Sequence, residues 1–262
     1  MDTPPLYQFE AFPETSLFEG AWCLSLPPGE QVQEIAPDGC CELIVHRGRP
    51  PLELRADGEA EQPGALIYGP LTRVLELRPQ GALDMMGLRF RSWAIGAFCP
   101  DPFALRNRAQ PLDMVIGREV AGLLCRSAEA GFQAFGKAAR DGLATASTPP
   151  REQALLEQLA KELVAHPGAE IADLVHWSGK TQRTLGRYYR RCAGLTPGEY
   201  LRLRRFQRAR TAIKQGAKDL AGVAVDAGYA DQAHMTRDFR RLAGRTPVQL
   251  RQAAGFDPLY EG

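Results

Sequence analysis

The chain contains no apolar run approaching the roughly 20 residues that a bilayer-spanning helix needs. Its first stretch, MDTPPLYQFEAFPETS, has no basic segment followed by an apolar one, so no secretory signal is expected and a cytoplasmic location is. Six cysteines form no CxxC pair, which argues for free, mostly buried thiols over a disulfide framework or a metal knuckle. In a strand the neighbours Cys40 and Cys41 would point to opposite faces, so a shared redox or metal site is not expected there. Residues 1–150 hold a single histidine, His46, too few for a convergent set of metal ligands. GxSxG, GxGxxG and P-loop signatures are missing as well. The sequence therefore points away from an enzyme, with no catalytic residue, metal or cofactor expected. Disorder is excluded by composition, with 44% apolar and 24% charged residues.

The net charge of +1 conceals a division. Residues 151–251 carry 19 Lys plus Arg against 10 Asp plus Glu, whereas residues 1–150 carry 13 against 19. A basic C-terminal half suits a polyanionic partner; the acidic N-terminal half does not.

The pattern of elements divides in the same place. From 17 to 90, short runs such as LFEGAWCLSL, QVQEI, CCELIVH, LELR, ALIY, RVLEL and DMMGLRF alternate with Pro/Gly-bearing segments, PPGE, PDG and ADGEAEQPG among them. Frequent turn punctuation of this kind predicts an antiparallel barrel or sandwich. Between about 112 and 145 the pattern turns helical, TASTPPREQ (145–153) reads as a linker, and helical periodicity holds from 152 onward. The expected fold is α+β: a β-rich domain with C-terminal helices over 1–147, then an all-α domain over 148–262.

The second half repeats itself with a period of 50 residues. Aligning Thr181 with Asp231 pairs Gln182 with Gln232, Leu185 with Met235, Arg187 with Arg237, Tyr189 with Phe239, Gly194 with Gly244, and Thr196–Pro197 with Thr246–Pro247. Upstream, after a one-residue shift, EIADLVHWSG (170–179) matches DLAGVAVDAG (219–228). Each unit reads as a helix, a glycine turn and a second helix, a helix-turn-helix twice over. Thr181 and Asp231 are N-cap types. Leu185/Tyr189 and Met235/Phe239, four apart, form a buried stripe. The opposite face carries Gln182, Arg183, Gly186, Arg187 and Arg190 in one unit. In the other it carries Gln232, Ala233, Thr236, Arg237 and Arg240, with His234 beside them. Arg pairs bidentately with guanine, Gln with adenine, and short side chains permit close approach, so both faces suit a major groove of double-stranded DNA.

Between the units, Thr196 with Glu199 makes a capping box, Pro197 fills the first helical position and Gly216 marks the stop. The intervening helix of about 19 residues would span roughly 28 Å. That approaches the ~34 Å between successive major grooves on one DNA face. Arg202, Arg204, Arg205 and Arg208 on this helix either pair with phosphates or solvate its outer side.

Residues 152–251 resemble the DNA-binding domain of AraC-type (AraC/XylS) transcriptional regulators, on the long motif AVDAGYADQAHMTRDFRRLAGRTP. In that family the positions matching Arg183, Gly186 and Arg187, and Gln232, Ala233, Thr236 and Arg237, face bases. Gly186 stands where the family usually has a longer side chain. The resemblance implies a seven-helix domain and a sequence-specific regulator of transcription. More loosely, PDGCCELIVHRG, GPLTRVLEL and MMGLRF resemble the β-rich half of such regulators, a cupin-like barrel or sandwich that binds a small-molecule effector, forms a homodimer, or both. RNA polymerase is a partner the resemblance allows. Trp22, Tyr68, Trp93 and Phe98 either line an effector pocket or fill a core. The competing reading is a DNA-repair methyl acceptor that carries the same DNA-binding module, with Cys40 as the natural acceptor.

Overall fold

The computed structural model describes residues 6–29 and 31–252. Ten strands open the chain: β1 (Leu6–Ala11), β2 (Phe18–Gly29), β3 (Gln33–Ile35), β4 (Glu42–His46) and β5 (Leu52–Arg55), followed by β6 (Gly58–Glu61), β7 (Ala65–Tyr68), β8 (Leu75–Arg78), β9 (Gly81–Phe90) and β10 (Ala109–Pro111). They pair antiparallel in a six-stranded sheet, ordered β1-β2-β9-β4-β7-β10, and a four-stranded sheet, ordered β3-β8-β5-β6. Two 3-10 turns, Ile95–Ala97 and Pro102–Leu105, separate β9 from β10.

The larger sheet is covered on both faces, and the period of two along each strand sorts its side chains. On β4, Leu43 and Val45 point one way and Ile44 the other. The first set joins Ala21, Ile67, Met86, Leu88 and Phe90 against Leu112, Leu124, Phe135 and Leu143 of the helices α1 (Leu112–Ile116), α2 (Arg118–Ala130) and α3 (Phe132–Ala146). The second set faces the smaller sheet, where Leu66 and Tyr68 meet Leu75 and Leu77. Trp22 lies flat against Gly87 on that side, and a Cβ at 87 would sit 2.2 Å from its ring.

Residues 147–152 lead from α3 to an all-helical second half. It comprises α4 (Gln153–Ala165), α5 (Ile171–Ser178), α6 (Gln182–Ala193), α7 (Pro197–Lys214), α8 (Leu220–Asp226), α9 (Gln232–Ala243) and α10 (Pro247–Gln252). These helices share one core, running from Leu156 and Leu163 of α4 through Leu174, Leu185, Leu203, Phe206 and Val223 to Met235 and Phe239.

The sequence reading differs from the structure at the sheet margins. β1 and β10 fall outside the range that read as strands, and β6 lies inside ADGEAEQPG, which read as a turn. All three are edge or near-edge strands with few buried residues, so they carry little hydrophobic alternation.

Candidate nucleic-acid interface

Each repeat folds as a helix-turn-helix for local reasons visible in its caps. The Thr181 hydroxyl accepts from the backbone N–H of Thr184 at 3.2 Å, opening α6. The Asp231 carboxylate does the same for His234 N–H at 2.6 Å, opening α9. Each replaces a hydrogen bond that a first helical turn cannot make internally. Both helices end at a left-handed glycine, Gly194 (φ +67) and Gly244 (φ +65). At Gly194 a side chain is excluded twice over, because a Cβ would also lie 2.5 Å from the Pro102 carbonyl oxygen.

The connecting helix α7 holds both units. Its N-terminus carries the expected capping box: Glu199 Oε2 accepts from Thr196 N–H at 2.8 Å and the Thr196 hydroxyl accepts from Glu199 N–H at 3.2 Å. At 18 residues it is roughly 27 Å long. It meets each second helix through an aromatic pair: Tyr200 against Tyr189 of α6 at 5.2 Å, and Phe206 against Phe239 of α9 at 4.8 Å.

Opposite the buried stripe, α6 exposes Gln182, Arg183, Arg187 and Arg190, with Gly186 half-buried between them. On α9, Gln232, Ala233, Arg237 and Arg240 are exposed, and His234 and Thr236 are half-buried. Arg183, Arg237 and Arg240 make no side-chain hydrogen bond or ion pair among the described residues, so their guanidinium groups are available to a ligand. Three residues are partly engaged. Arg187 and Arg190 lie over the rings of Tyr188 and Phe103 at 5.5 and 5.3 Å, and the Thr236 hydroxyl donates to the Gln232 carbonyl at 2.8 Å. His234 packs edge-on against Tyr229 at 5.1 Å, a supporting position behind the exposed row.

The arginines of α7 turn out to brace the protein instead of facing outward. Arg202 pairs with the buried Asp238 of α9 at 3.4 Å, and Arg205 lies over Tyr229 at 5.8 Å. Arg208 donates to the carbonyls of Leu163 and Pro167, which close the end of α4. Arg204 lines a cleft of about 540 Å³ between the two halves of the chain. Arg202 and Arg208 are thus engaged by a carboxylate and by carbonyl dipoles, whereas Arg205 meets only a ring face, as Arg187 and Arg190 do.

The two halves are in direct contact. The 3-10 turns pack against α6, Arg106 pairs with Glu199 at 2.5 Å, and Arg245, just past α9, pairs with Glu34 of β3.

Inside the β-rich half, a cavity of about 80 Å³ lies between the sheets, lined by Trp22, Ile44, Tyr68, Leu75, Leu83 and Met85 among others. Trp22 and Tyr68 thus share one space. Trp93 does not; it lines the cleft beside Arg204. Phe98, half-buried, packs against the core, tilted on Phe18 at 5.9 Å and edge-on to Phe90 at 5.4 Å. The cavity wall also holds polar residues that strand periodicity did not single out. Trp22 Nε1 and Arg89 Nη1 each donate to the partly buried Glu42 carboxylate at 2.9 Å, and Arg89 also pairs with Asp38 and with Glu19. Loss of water nevertheless pushes the Glu42 carboxyl well above the usual carboxylate range, outweighing the Trp22 hydrogen bond. The one sequence signal was Glu42 itself, a charge in the middle of the apolar run CCELIVH.

Cys40 is packed in this wall with its thiol near Ser92 and Glu19. Burial, and then the carboxylates of Glu19 and Glu42, hold it well above the ordinary thiol range. That is the reverse of an activated nucleophile. Among the described residues no three His, Cys, Asp or Glu side chains are grouped to hold a metal ion. No described helix is long and apolar enough to cross a membrane.

A family model described as a helix-turn-helix domain matches residues 174–253, and one described as a domain of unknown function (DUF6597) matches residues 16–110. The chain is 29% identical over 98 residues to a Proteus vulgaris protein named "Probable transcription factor PqrA", covering 37% of this chain and 80% of that one. It is 31% identical over 96 residues to the HTH-type transcriptional activator RhaS of Escherichia fergusonii, covering 34% of each. The chain therefore spans only about a third of the length of that second relative. In fold, it is similar to ToxT from Vibrio cholerae, with a TM-score of 0.53 at 8% identity over 95% of this chain and 99% of that one. A ToxT structure described as unsaturated fatty acid bound gives a TM-score of 0.51 at 9% identity, covering 98% of each chain.

Proposed function

We infer, from a C-terminal domain that belongs to the AraC-type helix-turn-helix family, that this protein regulates transcription by binding double-stranded DNA sequence-specifically. One observation carries the reading: two capped helices, α6 and α9, present matching rows of exposed Arg and Gln side chains from a single α7 support. A helix of this kind fits the major groove, and Arg and Gln there discriminate guanine and adenine edges. Arg183, Gly186 and Arg187 read one groove segment in this proposal, and Gln232, Ala233, Thr236 and Arg237 the next. Gln182, Arg190, His234 and Arg240 support them.

Control by a small effector in the β-rich half belongs to the same proposal, supported by the cavity between the sheets. So do pairing into a homodimer, contact with RNA polymerase and a cytoplasmic location. The test is site selection from a random DNA library with the full chain. Two short motifs about ten base pairs apart are expected, one per recognition helix. A single motif would remove base reading from α6, and no enrichment under any condition would overturn the regulator reading.

A further inference from the structure

The cavity between the sheets has the chemistry of a ligand site. A void left by imperfect packing is apolar on every side. Here Gln62, 4% exposed, lines the space, and its Nε2 is buried with no hydrogen-bond partner among the described residues. The other end of its amide is taken by His46 Nε2 at 3.2 Å, a ring whose pKa burial lowers. An unmatched buried donor is destabilising until something accepts from it. The acidic groups at the wall are Asp38, held by Arg89, Glu34, held by Arg245, and Glu42, whose carboxyl accepts from Arg89 while burial disfavours its charged form. With Glu19 also on Arg89, the carboxylates of Asp38, Glu19 and Glu34 outnumber the two arginines that hold them, so an incoming anion would meet an excess of like charge.

Resting on the regulator reading above, we propose that this cavity binds a compact neutral aliphatic molecule with one hydrogen-bond acceptor, of the short-chain ketone class. Gln62 Nε2 donates to its oxygen, and residues 33–40 relay its presence to the DNA-binding half. At about 80 Å³ the space is roughly half the 150 Å³ of an apolar cavity that takes benzene, so the ligand must be smaller than that six-carbon ring. The relay follows from how residues 33–40 face. Glu34, Asp38 and Cys40 line the cavity. Ala36 belongs to the core of the helical half, and the Pro37 carbonyl accepts from Gln207 Nε2 of α7. A Cβ on Gly39 would touch Leu203 and Leu195 at 3.2 and 3.4 Å. One strip of backbone is thus wall to the cavity and seat to α7.

The test uses the full chain with ¹⁵N-labelled indoles, the Trp22 resonance being assigned by comparison with Trp22→Phe. Butanone should shift Trp22 saturably and leave Trp177 in place, and Gln62→Met should weaken binding at least tenfold with Trp177 unmoved as the sign of an intact fold. Butyrate should give no shift. Butyrate binding as well as butanone, an unaffected Gln62→Met, or no response to butanone would each overturn the site. On the selected DNA, butanone should change the affinity several-fold, and Gln207→Ala should abolish that change while keeping the ligand-free affinity. A Trp22 shift with unaltered DNA affinity overturns the relay. A Trp22 shift in a protein that binds no DNA under any condition sinks the regulator reading and leaves the ligand site standing.

Discussion

Gly186 offers a single-atom test of where α6 goes. It is the fifth residue of the helix, and a Cβ built on it meets nothing within 4 Å, so alanine enters without displacing a neighbour. Glycine inside a helix is about 0.5–1 kcal/mol worse than alanine, chiefly because the unfolded chain has more freedom to lose. Gly186→Ala should therefore stabilise the free protein by about that amount. With about 2–4 °C per kcal/mol for a chain of this size, the thermal midpoint should rise by roughly 1–4 °C, read from helical circular dichroism. The same methyl group points where Gln182, Arg183 and Arg190 point, one turn to either side. If α6 sits in a major groove, the added carbon meets base edges and the selected sequence changes at one position, with thymine favoured through methyl contact. A lower or unchanged midpoint would refute the claim that this face is open. A raised midpoint with unaltered affinity and sequence preference would place α6 outside the groove.

Arg237→Ala should lower affinity for the selected site by about 1–3 kcal/mol and relax base preference at one position, measured by binding to single-base variants of the site; an equal loss on all sequences would make Arg237 a phosphate contact. Arg240→Ala should instead reduce the slope of log affinity against log salt by about one, and an unchanged slope would take Arg240 off the backbone. Thiol alkylation of the native protein near pH 8, followed by mass mapping, should reach Cys23, Cys99 and Cys125 before Cys40, Cys41 and Cys192. The latter three are buried, and burial pushes Cys192 up to about 12. Early labelling of Cys40, or a methyl gained there from alkylated DNA, would revive the methyl-acceptor reading.

The helical half was largely legible because its determinants are local. Thr181, Asp231 and the Thr196–Glu199 box act on hydrogen-bond donors within three residues of themselves, and the stripe Leu185/Tyr189 repeats as Met235/Phe239 at a spacing the eye can follow. What escaped is non-local. Arg208 looks from the sequence like any charge on a helix, and only the fold brings the spent end of α4 to it. Trp22 and Trp93 are alike as residues, yet one lies on a sheet face and the other beside an interdomain cleft. The cluster of Arg89 with Asp38 and Glu42 joins positions 51 and 47 apart, for which no periodicity exists to be read. Edge strands β1 and β6 were missed for the opposite reason: their exposed side chains need no hydrophobic pattern.

The aromatic pairs on α7 bear on how such a protein can change over evolutionary time. A sequence repeated every 50 residues invites the idea of interchangeable modules, one per half-site. Tyr200 and Phe206 deny it, because a single rod supplies the ring on which each reading helix rests, and one continuous core runs beneath both. Lengthening or shortening that rod to suit a differently spaced operator would rotate one ring off its seat. Recombination between relatives should therefore succeed when it exchanges the whole helical half and fail at junctions inside α7, leaving half-site spacing among the slowest properties of such a regulator to drift.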